Sequence, residues 1–387
     1  MTDRNVVYLG LSGFPNGLAM ISKVKIISKA LQLKGRTVCV LNRKRIDDNI
    51  LSGKSENIIF DTVSRSKKSK SFIKRRISNI LFPYKEWRSI VHKIKEFESK
   101  YLFVNSRSFS QLLLYYLLSK IYKQTLIITY VEYGKAMVTK SRIMKLNDVF
   151  FEQFAFKMVD GALPISDFLL DIVKKRNSRL PILKTPVLTD VNRIKNITVG
   201  NVEDRFLFCG AAAFIEVIEI IIDSFCLVKG SNTKLTLICG GTRKEIRKLE
   251  MLISKSVKQD KIELLYDLDY NELIRMYKTA LALLIPLRPT IQDIARFPHK
   301  IGEYAAAARP IITNNYGESA NYFKDEKSAL LANEYTPECI AEKMNFVIAN
   351  KERANEIGLK GQEIAKKYFD YITYSDSLEL FLKKIEK

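Results

Sequence analysis

With 387 residues, the chain is long enough for two domains of ordinary size, each able to bury its own core. A hydrophobic share of 47% excludes the fibrous and disordered classes. The balance of 64 basic against 42 acidic residues leaves +22, which attracts anions without choosing among nucleic acid, anionic lipid and phosphorylated small molecules.

The cysteines Cys39, Cys209, Cys226, Cys239 and Cys339 form no CxxC pair and read as free thiols of a reducing compartment. The opening MTDRNVVYLGLSGFPNG carries no signal-peptide pattern, and no uncharged run approaches the ~18 residues of a spanning helix. The expected location is therefore the cytoplasm, or the inner face of the plasma membrane as a peripheral protein.

In chain order, residues 6–11 form a buried-type strand, followed by a loop with Gly13, Pro15 and Gly17. A helix-period stretch over 21–33 and a second strand over 37–41 complete a βαβ unit. Further strands are expected at 101–105, 125–131 and 161–165, with helices between them. Residues 65–76 hold seven basic residues and no acid, and the segment 65–88 is read as an anionic membrane or acceptor-phosphate patch, against a plain solvated basic stretch.

The second half repeats the alternation. Strands are expected at 206–209, 235–239, 262–266, 280–285 and 310–313, and helices at 215–228, 244–256, 271–279 and 300–308. Regular alternation implies parallel sheets with right-handed crossovers. The chain is thus expected to be α/β, with two Rossmann-like domains facing each other across a cleft. Residues 1–195 make the first, with a C-terminal helix at 370–387 packing back on it, and residues 196–369 the second.

The informative run is Arg296-Phe297-Pro298-His299-Lys300-Ile301-Gly302-Glu303-Tyr304-Ala305, then Ala308-Arg309-Pro310-Ile311-Ile312. It lies between two strands, and Pro298 suits the first turn of a helix opening at Phe297-Pro298. A helix start at the carboxyl edge of a parallel sheet is an anion site, to which Arg296, His299 and Lys300 add positive charge. Glu303, one turn beyond Lys300, is placed to accept ribose hydroxyls. The competing account is an i,i+3 ion pair between Lys300 and Glu303 on a solvated surface. His299 is read either as a phosphate contact or as a bystander.

This run resembles the FPxKxxEYxAxGxPVI signature of retaining GT-B glycosyltransferases of family four, many of which build bacterial surface polysaccharides. Gly13-Phe14-Pro15-Asn16-Gly17 resembles that family's N-terminal glycine loop, Tyr130-Val131-Glu132-Tyr133 its strand-end acidic region, and Pro164-Ile165-Ser166 its following helix start. Gly317-Glu318 and Ser328-Ala329-Leu330-Leu331 resemble its GE…naLL turn. The resemblance spans nearly the whole chain and is strong over 296–331.

What the resemblance implies is transfer of a sugar from a UDP- or GDP-sugar to a saccharide or lipid-linked acceptor, with retention and no protein nucleophile. Glu303 would contact the ribose and residues 297–300 the diphosphate, while Glu132, Lys300 and Glu303 form the catalytic set. Gly17, Gly210, Gly241 and Asp267 join Arg296, Phe297, Pro298, His299, Lys300 and Glu303 as donor-binding positions. No cofactor, metal or nucleic acid is expected.

Two departures from the pattern stand out. The first glutamate of the family's pair falls at Ala295, and the basic residues after the first strand of the second domain are replaced by Gly210-Ala211-Ala212-Ala213-Phe214, so that Arg296 and Lys300 must supply that charge. Asp267-Leu268-Asp269 imitates a metal-binding DxD, but Asp269 followed by Glu272 reads as a capping box, with the loop 266–268 a place for the base. Glu132 is read as a cleft carboxylate or an exposed loop acid, and Gly17 as a close-approach or plain turn glycine. Other readings are a nucleotide-sugar epimerase of the same fold and a basic nucleic-acid-binding protein.

Overall fold

As a computed structural model, the structure describes residues 5–17, 19–44, 51–64, 71–136, 141–229 and 232–386. The chain divides into two compact units, residues 1–186 with 371–387, and residues 187–370. The first six residues of the basic segment, 65–70, lie outside the described residues.

The N-terminal unit runs β1 (Asn5–Leu11), α1 (Ala19–Gln32), β2 (Val38–Lys44), β3 (Gly53–Ser55), β4 (Ile58–Ser64), α2 (Phe72–Glu96), β5 (Ser99–Val104), α3 (Phe109–Ile121), β6 (Thr125–Tyr130), α4 (Arg142–Met158), β7 (Gly161–Pro164) and α5 (Asp167–Arg176). Its strands lie in the order β3-β4-β2-β1-β5-β6-β7, parallel apart from the β3–β4 pair. Val6-Val7-Tyr8 and Leu102-Phe103-Val104 are fully buried, as strands covered on both faces require.

The β3–β4 hairpin is not legible in the sequence pattern. Glu56 and Asn57 both adopt positive φ (49° and 64°), the signature of a type I′ turn, but glutamate is not a residue that announces one. Right-handed crossovers put α1, which leads leftward from β1 to β2, on one face, and α2, α3 and α4, which lead rightward, on the other.

The C-terminal unit runs α6 (Val191–Asn196), β8 (Arg205–Ala211), α7 (Ile215–Cys226), β9 (Lys234–Gly240), α8 (Arg243–Ser254), β10 (Ile262–Leu265), α9 (Tyr270–Thr279), β11 (Ala282–Leu284), α10 (Ile291–Ala295), α11 (Lys300–Ala306), β12 (Ile311–Asn314), α12 (Ser319–Tyr322), β13 (Leu330–Ala332), α13 (Pro337–Ala349) and α14 (Lys351–Ile364). Its six strands are all parallel, in the order β10-β9-β8-β11-β12-β13. The core between sheet and helices is aliphatic, centred on Ile218, Ile221, Leu235, Leu237 and Leu284. The boundary falls at 186/187 rather than 195 because α6 packs on α11 within this unit.

The last helix, α15 (Tyr371–Ile385), belongs to the N-terminal unit. It packs along α1, where Arg36 Nε donates to Glu379 at 2.7 Å and Lys34 pairs with Asp376. Gly161 leaves room for it, since a Cβ there would lie 2.7 Å from the Phe381 ring. The five cysteines are free, and burial pushes the thiols of Cys39 and Cys239 up to about 12. Among the described residues no helix is long and apolar enough to cross a membrane.

Candidate functional site

In an open parallel sheet, ligands bind beyond the carboxyl ends of the strands where the strand order reverses. In the C-terminal unit that reversal lies between β8 and β11, because the chain turns from β8 to β9 on one side and from β10 to β11 on the other. The loops at this point are residues 210–214 and 285–299. The second one contains Arg296, Phe297, Pro298 and His299 and leads into Lys300.

These two loops meet. The Arg296 guanidinium lies 4.9 Å over the Phe214 ring, and the Lys300 ammonium sits beside the Cys209 sulfur at the end of β8. The sequence lacks basic residues after β8, yet the fold brings two cations from the later loop to the same strand end. Gly241 is close by, since a Cβ there would lie 3.1 Å from that of Ala212. Gly210 is the place where the Phe208 ring folds over the strand, and a Cβ would come within 2.5 Å of it.

Lys300 Nζ donates to Glu303 Oε2 at 3.1 Å. Glu303 is only 7% exposed, so the pair that the competing account puts on a solvated surface has a buried acid. Burial works against the Lys300 charge, but the Glu303 carboxylate and Cys209 outweigh it and hold the ammonium above its ordinary pKa. Tyr277 and Tyr304 form the floor. Lys300 Nζ stands 5.6 Å from the Tyr277 ring, the two rings meet edge to face at 4.9 Å, and the Tyr304 hydroxyl accepts from the Cys209 N–H at 2.8 Å.

The helix opens at Lys300, where the reading of a helix over 300–308 has it, and not at Phe297-Pro298. His299 is the N-cap with αR dihedrals (φ −58°), α11 begins at Lys300, and Pro298 precedes the cap, its carbonyl accepting from Ile301 N at 3.1 Å. The first turn is thus tightened by an i,i+3 bond, a common end effect. Phe297 is buried, stacked on Tyr322 at 5.5 Å and edge-on to Phe369 at 5.6 Å. Its ring is a packing group that anchors the loop, so any donor contact there falls to the backbone.

Asp267 lies in the loop after β10, two strands away from β8 and exposed, with φ +56°. The neighbouring Asp269 caps α9, accepting from Asn271 N at 2.8 Å and Glu272 N at 3.0 Å. Among the described residues no three His, Cys, Asp or Glu side chains group as a metal site.

One group escaped the sequence reading. Asp293, fully buried two residues before Ala295, accepts from the Arg288 side chain at 3.0 and 3.1 Å and pairs with Arg296 Nη2 at 2.9 Å. Arg288 also reaches Glu216 at the start of α7 at 3.2 Å. The only signal was an aspartate with arginines five before and three after it. Its effect is to aim Arg296 at Phe214.

In the N-terminal unit the strand order reverses between β1 and β5, and Gly17 lies in the loop after β1. Asn42 clamps that loop, accepting from Phe14 N at 3.1 Å and donating to Phe14 O at 2.9 Å. A Cβ on Gly17 would lie 2.4 Å from the Ile21 side chain, so the tight packing at the start of α1 accounts for this glycine. Glu132, after β6, pairs with Arg107 at 3.3 Å and is 45% exposed in its side chain. Ser166 caps α5, accepting from Leu169 N at 3.3 Å.

Residues 193–364 match the family described as "Glycosyl transferases group 1". The match covers most of the C-terminal unit. Solved structures similar to the whole chain include a sucrose-phosphate synthase from Thermosynechococcus elongatus, 14% identical over 99% of both chains with a TM-score of 0.80. Anabaena HepE in complex with UDP and glucose is 11% identical over 98% of this chain and 100% of its own, at 0.75. A glycosyltransferase from Rickettsia africae is 13% identical over 100% of both chains, at 0.73. No curated protein matches by sequence. At these identities the likeness shows the fold, the two-Rossmann-domain GT-B architecture, and Arg296, Lys300 and Glu303 fall within the matched residues 193–364.

Proposed function

We propose that the protein transfers a sugar, with retention, from a UDP- or GDP-sugar to a saccharide or lipid-linked acceptor in polysaccharide or glycolipid synthesis. The observation that carries this reading is the convergence of Arg296 and Lys300 on the carboxyl end of β8, beside a buried carboxylate. That HepE is solved with UDP bound supports a nucleotide donor on this fold.

In this reading the donor diphosphate draws Lys300 away from Glu303 and neutralises it in turn. The released carboxylate then accepts the ribose hydroxyls. As the bond from the anomeric carbon to the β-phosphate oxygen breaks, its electron pair stays on the phosphate, and Lys300 and Arg296 stabilise the growing charge. The acceptor oxygen bonds to the same face of the anomeric carbon and its proton passes to the departing phosphate, the course that the family resemblance implies. The N-terminal unit receives the acceptor, with Glu132 and the Gly17 loop on that side, and the basic segment 65–88 meets an anionic membrane.

A thermal-shift series tests the donor half. UDP or GDP at low millimolar concentration should raise the melting temperature, since a ligand at 100 times its Kd adds about 2.7 kcal/mol. Stabilisation by an oligonucleotide with both nucleotides inert would overturn the reading in favour of nucleic-acid binding.

A further inference from the structure

The face of the N-terminal sheet that carries α2, α3 and α4 exposes more apolar side chains than a solvated surface warrants. On α3, Leu113, Leu117 and Ile121 stand at i, i+4 and i+8 and are all exposed, Ile121 to 61%. On α4, Ile143 is 81% exposed, with Met144 and Leu146 beside it. The two helices are fastened together: Phe109 of α3 packs against Phe150 and Phe154 of α4 at 5.7 and 6.0 Å, and Asn147 accepts from Phe109 N at 2.8 Å. The stripe and the α4 turn therefore sit on neighbouring, rigidly joined helices.

Charge identifies what covers this face. Among the residues whose side chains are described, five basic residues on α2, one on α3 and three on α4 stand against four acids, Glu86, Glu96, Asp148 and Glu152. Glu86, Asp148 and Glu152 are buried, and Glu96 is paired with Lys93, so the exposed charge is overwhelmingly positive. Every residue from Ser141 to Leu146 is exposed, so the first turn of α4 projects on all sides. A projecting apolar turn with Arg142 and Lys145 interleaved suits insertion into a fluid anionic interface better than a shaped protein surface.

We infer that the α3–α4 face is the membrane-docking surface of the protein. The stripe on α3 and the first turn of α4 enter the headgroup–acyl boundary of an anionic bilayer, while Lys120, Arg142 and Lys145 meet the lipid phosphates. This rests on the reading of an anionic membrane surface given above and extends the contact from α2 to α3 and α4. The transfer reading of the C-terminal unit does not depend on it.

Cosedimentation of the full chain with phosphatidylcholine vesicles, and with vesicles of phosphatidylcholine and phosphatidylglycerol in equal parts, tests it. Binding is expected only to the anionic vesicles and should weaken with salt. The variant Lys120→Gln/Arg142→Gln/Lys145→Gln should lose about 5-fold in partition for each charge removed. The variant Leu117→Ser/Ile143→Ser/Leu146→Ser, with its charge intact, should lose at least ~10-fold. A control with Lys244, Arg247 and Lys248 of α8 changed to Gln should bind as the parent does.

No binding to either vesicle would remove membrane docking altogether. Binding that the α3–α4 variants leave intact, or that the α8 control weakens equally, would remove this face and leave only attraction by net charge. A dimer in sedimentation velocity that Ile143→Ser dissociates would assign the face to a second copy of the chain instead.

Discussion

Lys300 and Glu303 are one helical turn apart and joined at 3.1 Å, with the carboxylate buried and the ammonium side chain 30% exposed. The acid faces the interior and the base the solvent side, so an incoming anion meets the lysine first. Glu303→Gln keeps the shape and one acceptor but removes the charge. Transfer should fall about 10- to 100-fold, the loss of one charge-assisted hydrogen bond, with the circular dichroism spectrum unchanged. A fully active variant would take Glu303 out of the site.

Asp293 organises the loop that presents Arg296. With the acid fully buried between two arginines, Asp293→Asn leaves cations without a counter-charge and should cost about 3 kcal/mol. Urea denaturation measures that loss. Nucleotide affinity should fall in the same variant under conditions where it remains folded, because Arg296 loses the group that aims it.

The turn after α11 is the next test. Ala308 has φ +59°, at the position where the signature FPxKxxEYxAxGxPVI has glycine. A left-handed alanine costs roughly 1–2 kcal/mol, partly offset by the extra chain entropy of glycine, so Ala308→Gly should stabilise by about 0.5–1 kcal/mol. Gly358 on α14 packs against this turn, and an added Cβ would lie 2.5 Å from the Ala308 carbonyl oxygen. Gly358→Ala should therefore destabilise by about 1–3 kcal/mol, since backbone and not a flexible side chain blocks the way.

Lys23 of α1 is 6% exposed, and burial lowers its pKa from 10.5 to about 7. Between about pH 7 and 10.5 the unfolded chain holds this proton and the folded chain does not, so this residue makes stability rise with pH across that window. Below it, both states are protonated and the full cost of the buried charge remains. Lys23→Met should be more stable than the parent at pH 6, and the difference should shrink as the pH approaches 10.5. Equal differences at both ends would mean that the amine finds solvent or a partner.

Much of this was legible before any coordinates. The strands at 125–130, 161–164, 205–211 and 234–240 follow from apolar runs ended by glycine, proline or polar residues, with each end within two residues of the reading. The β3–β4 hairpin was not, because Glu56 gives no sign of its positive φ and Gly53–Ser55 is too short and polar to read as a strand. At the candidate site, the i,i+3 pairing of Lys300 with Glu303 was visible from spacing. What spacing cannot show is that Arg296 reaches Phe214, eighty-two positions earlier, since that contact exists only through the pairing of β8 with β11. Phe297 illustrates the opposite limit: a motif residue whose ring turns out to be packed on Tyr322 and Phe369.

A nucleoside diphosphate resting against Lys300 and Arg296 at the end of β8 is what the transfer reading requires. A crystal structure determined with UDP or GDP decides whether it does. The diphosphate should lie against residues 297–300 within reach of both cations, with Lys300 turned from Glu303 and the ribose hydroxyls on the Glu303 carboxylate. Density for the nucleotide elsewhere on the chain, with the 3.1 Å ion pair intact, would contradict it.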